Sequence, residues 1–188
     1  ETSRPGSWSL GLTREGFTLT VNGTSKTFAA PPTLDWTYFA LTFTPEAQNG
    51  LGGWTLWRND RKVGTFTSAA VPAVLSHPCA FTLGATAAGV SAFFGELDLW
   101  RVSTVCIEPD ASLYAQRAKP VSLWPLASDG SDALGGAIAL KPCKDGGVSF
   151  AVPAPTNAPA PDSARGGCAA MSGGLGTRSL LCAEGLGS

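Results

Sequence analysis

A chain of 188 residues can bury one substantial core, so one main domain with extensions is the natural count. Its formal net charge of −1, with charged residues at 14%, excludes the basic footprint of a nucleic-acid or anionic-membrane binder. No apolar run approaches the roughly 18–20 residues that a membrane-spanning helix needs. The first residue is Glu1 and no signal-like stretch precedes the first strand, so the expectation is a processed or excised piece of something larger.

In chain order the signals are those of strands. Trp8-Ser9-Leu10-Gly11-Leu12 alternates, as does Phe17-Thr18-Leu19-Thr20-Val21. Asn22-Gly23 supplies the strongest short hairpin turn before Lys26-Thr27-Phe28 returns. Trp36 to Phe43 is the most β-prone run of the chain. Trp54 to Arg58 and Val63 to Thr67 flank the polar turn Asn59-Asp60-Arg61-Lys62. Ala80 to Leu83 and Phe93 to Val102 follow as strands, and Asp110 to Arg117, after Pro109, is the one helical stretch. Val148 to Val152 is a last strand, and the run from Pro153 is an extended, semi-rigid Pro/Ala segment. Short, evenly spaced strands with Gly, Pro and Asn turns predict an all-β antiparallel β-sandwich of the jelly-roll kind.

The five cysteines, Cys79, Cys106, Cys143, Cys168 and Cys182, show no C-x-x-C spacing, and with His77 the single histidine a zinc site is poorly supported. Disulfides in an oxidising compartment are the better reading. An odd count leaves one sulfur for chain beyond this segment, for another molecule, or unpaired. Connectivity is not readable from spacing, although Cys168–Cys182 would close a short Gly-rich loop and is the favoured pair.

Four segments together resemble a known family. Trp36-Thr37-Tyr38-Phe39-Ala40-Leu41-Thr42-Phe43, with Trp54 to Arg58, the polar turn and Val63, resembles the central hairpin of laminin-G-like, concanavalin-A-like domains. Phe81-Thr82-Leu83-Gly84 looks like that family's leucine–glycine strand. Phe94-Gly95-Glu96-Leu97-Asp98-Leu99-Trp100-Arg101-Val102 is similar to its phenylalanine–glycine–x–leucine–aspartate strand, and Ala111 to Tyr114 falls where it often has a helical turn. The resemblance covers Trp8 to Arg117 in order. It implies a sandwich over residues 1–152, a Pro/Ala-rich linker over 153–167, and a Gly/Cys-rich tail over 168–188 at the edge of another module. Within 121–152, Val121 to Gly130 resembles the family's opening strand. That segment either closes the first sandwich, the favoured reading because an unpaired apolar strand is an aggregation hazard, or starts a truncated second repeat.

The run from Phe93 to Val102 also frames the functional question. Read as one strand, it puts Phe94, Glu96, Asp98 and Trp100 on one face and Gly95, Leu97, Leu99 and Arg101 on the other. Carboxylates beside rings are costly unless they line a groove, hold a cation or do acid–base chemistry. A family of retaining jelly-roll glycosidases carries Glu-x-Asp-x-x-Glu, and such hydrolysis needs two carboxyl groups about 5–5.5 Å apart across the scissile bond. Glu96 and Asp98 fill the first two positions, but Arg101 stands in the last, so no acid/base is in place. The resemblance instead makes Asp98 a candidate calcium ligand, with Asp129 and Asp132 in a suitable loop if 121–152 folds back. The competing reading has Asp98 capping a turn or pairing with Arg101 or Arg58.

Of six tryptophans, Trp36, Trp100 and Trp124 are expected in the core. Trp54 and Trp57 lie three apart on one strand, so at least one is expected to point outwards, where with Glu96 it could contact a glycan, a neighbouring domain or a partner protein. Asn22-Gly23-Thr24 is the N-glycosylation sequon, although Asn-Gly is equally what a tight hairpin requires. His77, before Pro78, lacks a nucleophile signature and reads as a loop side chain. The expectation is a non-catalytic extracellular or cell-surface glycoprotein module for adhesion or structural assembly, in a matrix, wall or ciliary-surface coat. Its partners would be other chains or domains and glycans. The alternative is a carbohydrate-binding module or an inactive relative of a jelly-roll glycoside hydrolase.

Overall fold

A computed structural model of the chain describes residues 8–35, 37–48, 51–59, 61–68, 81–84, 93, 95–97, 100–102, 122–124, 126, 129, 133–134, 141–142, 148–152, 168–171 and 181–183. Among them every regular element is a strand, and the architecture is all-β. The chain divides into two compact units, Glu1–Leu75 with Val105–Ala118, and Ser76–Thr104 with Lys119–Ser188.

Among the described residues the first unit is built from two three-stranded antiparallel meanders. β1 (Trp8–Leu12), β2 (Phe17–Val21) and β3 (Thr24–Phe28) form one sheet in sequence order. Its second turn is the Asn-Gly turn expected from sequence. Val21 pairs with Thr24, so two residues close the hairpin, with φ of 49° at Asn22 and 80° at Gly23. Left-handed values at both central positions define the type I′ turn that matches strand twist. β4 (Phe39–Gln48), β5 (Leu51–Arg58) and β6 (Arg61–Ser68) form the other sheet, also in sequence order. Arg61 and Lys62 already belong to β6, so the polar turn is shorter than the sequence suggests. Arg58 pairs with Arg61, and Asn59, at φ 54°, opens a two-residue link.

Alternation decides which face is buried. On β2, Phe17, Leu19 and Val21 are buried while Thr18 and Thr20 are half-exposed, a period of two. These three join Phe28, Ala30, Trp54 and Leu56 in one hydrophobic core drawn from both sheets, with Leu10, Phe39, Leu41, Phe43, Val63 and Phe66 packed against it. Aromatic contacts cross between the sheets: Phe17 meets Phe39 at a centroid separation of 4.2 Å, and Trp8 meets Trp54 at 5.9 Å. Trp54 also packs on Phe43 at 4.6 Å within its own sheet, and its buried Nε1 donates to Ser68 Oγ at 3.1 Å. That bond removes the desolvation cost a buried indole N–H would otherwise carry. Gly16 makes the β1–β2 connection possible. At φ +141° it lies so close to the Phe28 carbonyl and the Ala30 amide that a side chain there would collide with backbone.

The second unit contains β7 (Phe81–Leu83), β8 (Gly95–Leu97), β9 (Trp100–Val102), β10 (Ser122–Trp124), β11 (Lys141–Pro142), β12 (Val148–Val152), β13 (Cys168–Met171) and β14 (Leu181–Ala183). β10 pairs with β9, β14 lies between β11 and β7, and β13 lies between β12 and β8. Val121 to Gly130 therefore contributes a strand that pairs back with β9, Trp124 opposite Trp100. The Gly/Cys-rich tail supplies the central strands of two of these sheets. Leu126 is fully buried at a φ of 61°, a conformation that a leucine adopts only where its surroundings impose it.

The run from Phe93 to Val102 is not one strand. Gly95–Leu97 pairs with β13 and Trp100–Val102 with β10, in separate sheets. The alternation of side chains continues past the point where the backbone changes partner, so Glu96 and Trp100 do not share a sheet face. The expected helix over Asp110 to Arg117 and the Pro/Ala segment over 153–167 lie outside the described residues.

Candidate functional site

The outer faces of the two meanders are the most regular chemical feature of the described chain. Outward on the first sheet stand Ser9 and Gly11 from β1, Thr18 and Thr20 from β2, and Ser25 and Thr27 from β3, in register across the strands. Neighbouring hydroxyls bond to each other: Thr18 Oγ1 lies 3.0 Å from Thr27 Oγ1, and Thr20 Oγ1 lies 2.8 Å from Ser25 Oγ. On the second sheet, Thr42, Thr55 and Thr65 form one cross-strand row, and Thr44, Gly53 and Thr67 the next. Every threonine of these rows follows from the same alternation that buries Leu19, Leu56 and Trp54 on the opposite faces. Strand spacing of about 4.8 Å and a two-residue repeat near 7 Å turn them into a grid of hydroxyls.

At the β5–β6 turn an open cleft of about 570 Å³ is lined by Ala29, Ala30, Arg58, Asn59, Arg61 and Val63. The Arg58 guanidinium is held in place. One nitrogen donates to the Pro31 carbonyl at 3.4 Å and the other to Thr33 Oγ1 at 3.2 Å, with the group 6.0 Å from the Phe39 ring centre. Asn59 is fixed as the continuation of the β4–β5 ladder: its amide donates to the Tyr38 carbonyl at 2.8 Å, and the Tyr38 amide donates to Asn59 Oδ1 at 3.2 Å. Arg61 is exposed at the rim. Two guanidinium groups and an amide can hold a carboxylate, a sulfate or a sugar hydroxyl.

The residues singled out from sequence fall elsewhere. Trp54 and Trp57 do lie on opposite faces of β5, Trp54 in register with Phe43 and Phe66, Trp57 with Ala40 and Lys62. Neither offers an open ring, however: Trp54 is 5% exposed and Trp57 9%. Trp57 Nε1 donates to Thr42 Oγ1 at 3.1 Å, which ties the indole to the neighbouring strand. The outward-pointing ring expected as a contact platform is thus replaced by a buried one. Asn22 occupies the half-buried first turn position. Glu96 is placed by its backbone in β8, opposite Ala170. Asp98, Asp132 and His77 lie outside the described residues, and Asp129 is exposed. Among the described residues no three His, Cys, Asp or Glu side chains form a group suited to a metal ion. Cys168 and Cys182 sit in β13 and β14, in different sheets, while Cys79, Cys106 and Cys143 lie outside the described residues.

Among the described residues no helix is long and apolar enough to cross a membrane. Comparisons with protein-family models, with curated proteins and with solved structures find no match to this chain.

The hydroxyl rows and the Arg58–Arg61 cleft were missed as a site in the sequence. The signal was present in the Thr-x-Thr spacing of Phe17 to Val21 and Phe39 to Thr44, where aromatic and aliphatic residues drew attention to the buried face alone.

Proposed function

We propose that this chain is a non-catalytic β-sandwich module of a larger extracellular or cell-surface protein, acting in adhesion or structural assembly. The observation that carries the reading is the row of hydroxyls on the outward face of the first meander, joined on the second by exposed Thr44, Thr65 and Thr67. Serine and threonine hydroxyls donate and accept hydrogen bonds but do not ionise near neutral pH, so such a surface suits binding far better than acid–base chemistry. The shared core of two antiparallel sheets supports a sandwich, and the resemblance of Trp36 to Val63 to laminin-G-like domains suggests the jelly-roll variety.

A carbohydrate ligand is the second reading, favoured by the cleft with Arg58 and Arg61 beside polar backbone. Screening the full chain on a glycan array and against a panel of polysaccharides separates the two. The module reading predicts no hydrolysis of any polysaccharide. Saturable glycan binding weakened by Arg58→Ala and Arg61→Ala would establish the second reading, and steady turnover would overturn both.

A further inference from the structure

Among the described residues, the two meanders of the first unit present four edge strands, and three of them are blunted. β3 carries Lys26 in the row of Leu10 and Leu19, on the core-facing side, where the charge remains exposed. β4 contains Pro45, which has no N–H to offer, and its register with β5 shifts between Thr44 and Gln48. β6 begins with exposed Arg61 and Lys62 and is irregular opposite Leu56 and Trp57. Inward charges, prolines and bulges are the devices by which sheets avoid edge-to-edge pairing. β1 has none of them. Trp8-Ser9-Leu10-Gly11-Leu12 is uncharged and regular, pairs residue for residue with β2, and has no buried residue. Trp8 is 45% exposed and Leu12 37%, both on the core-facing side of the edge.

We infer that β1 is an association edge and that its occupant is β1 of a second copy of this chain, paired antiparallel about a two-fold axis through Leu10. The symmetry of the strand itself favours this occupant. Its pattern of apolar, small, apolar, small, apolar residues reads the same in both directions. In two-fold register Leu10 faces its own copy, each Trp8 faces a Leu12, and each Ser9 faces a Gly11. Apolar thus meets apolar on one face and small meets small on the other, with no like charges opposed within the strand, as an isologous contact requires. Pairing gives the outer backbone groups of each β1 a strand partner and joins two three-stranded sheets into one of six. The inference deepens the assembly reading above and stands apart from it experimentally. A chain that hydrolysed a polysaccharide and still paired through β1 would remove that reading and leave this one.

Sedimentation velocity of the full chain in reductant, across a range of concentrations, measures the association without contributions from disulfides. Ser9→Lys with Gly11→Lys places like charges opposite each other twice per dimer. It should weaken association by at least about 10-fold. Ser9→Lys with Gly11→Glu changes the same positions but sets opposite charges face to face, and should restore association. Position 11 has room for either side chain, because the nearest atom to an added Cβ is the Thr18 carbonyl oxygen at 3.9 Å. A monomeric unaltered chain at every concentration overturns the inference. So does a Lys/Lys variant that associates as tightly as the unaltered chain, or a Lys/Glu variant as weak as Lys/Lys.

Discussion

Ser68 and Gly16 are the two residues on which the first unit depends most visibly. Ser68 is a buried polar residue that accepts the indole hydrogen of Trp54 deep in the core. Ser68→Ala leaves that donor without its partner and should lower unfolding free energy by about 1–3 kcal/mol in urea titrations. Thr42→Ala removes the equivalent acceptor from Trp57, but that bond is only partly buried, and water can replace it; its cost should be the smaller of the two. Gly16→Ala fails twice over, because the left-handed φ is unfavourable for alanine and the added carbon would strike the Phe28 carbonyl. It should destabilise by more than the roughly 1 kcal/mol typical of a Gly-to-Ala change with opposite sign at a permissive site. Thr18→Ala, on the outer face, should change stability by no more than about 0.5 kcal/mol. The contrast between Thr18 and Ser68 measures how far the outer hydroxyls are free of a structural role.

Elements stabilised by local rules were legible in the sequence, and those stabilised by distant partners were not. β1, β2 and the Asn22-Gly23 turn follow from alternation and from the φ preference of two residues, and all appear where expected. β4 and β5 are longer than expected, because Gln48 and Leu51 are paired although neither is apolar-periodic. The break between β8 and β9 could not be read from Phe93 to Val102, since the alternation is unbroken while the partners, β13 and β10, come from 70 or more and about 20 residues away in the chain. β13 (Cys-Ala-Ala-Met) and β14 (Leu-Cys-Ala) were hidden by their shortness and by an alanine content that carries little strand propensity. The same break bears on calcium: Glu96, in β8, no longer shares a continuous strand face with Trp100, in β9. Thermal melts of the chain in excess calcium and in chelator are expected to coincide. A ligand that fills a site in the folded state would raise stability by about 2.7 kcal/mol at a hundredfold excess over Kd, and Asp98→Asn would abolish that gain.

At the scale of the whole molecule the proposed role in assembly requires that this chain make contacts with other chains. An odd number of cysteines, hydroxyl faces suited to binding and an unguarded edge at β1 all bear on it. Removing the outward threonine hydroxyls of the first sheet together, with Thr18, Thr20 and Thr27 each replaced by alanine, should leave the melting transition close to that of the unaltered chain and weaken partner capture. The most direct measurement is native mass analysis of the purified chain without reductant, followed by the same sample after reduction and dilution. The account predicts species heavier than one chain that dissociate on dilution, on reduction or on both. A single species of one chain at every concentration, with all thiols free or paired internally, would contradict it.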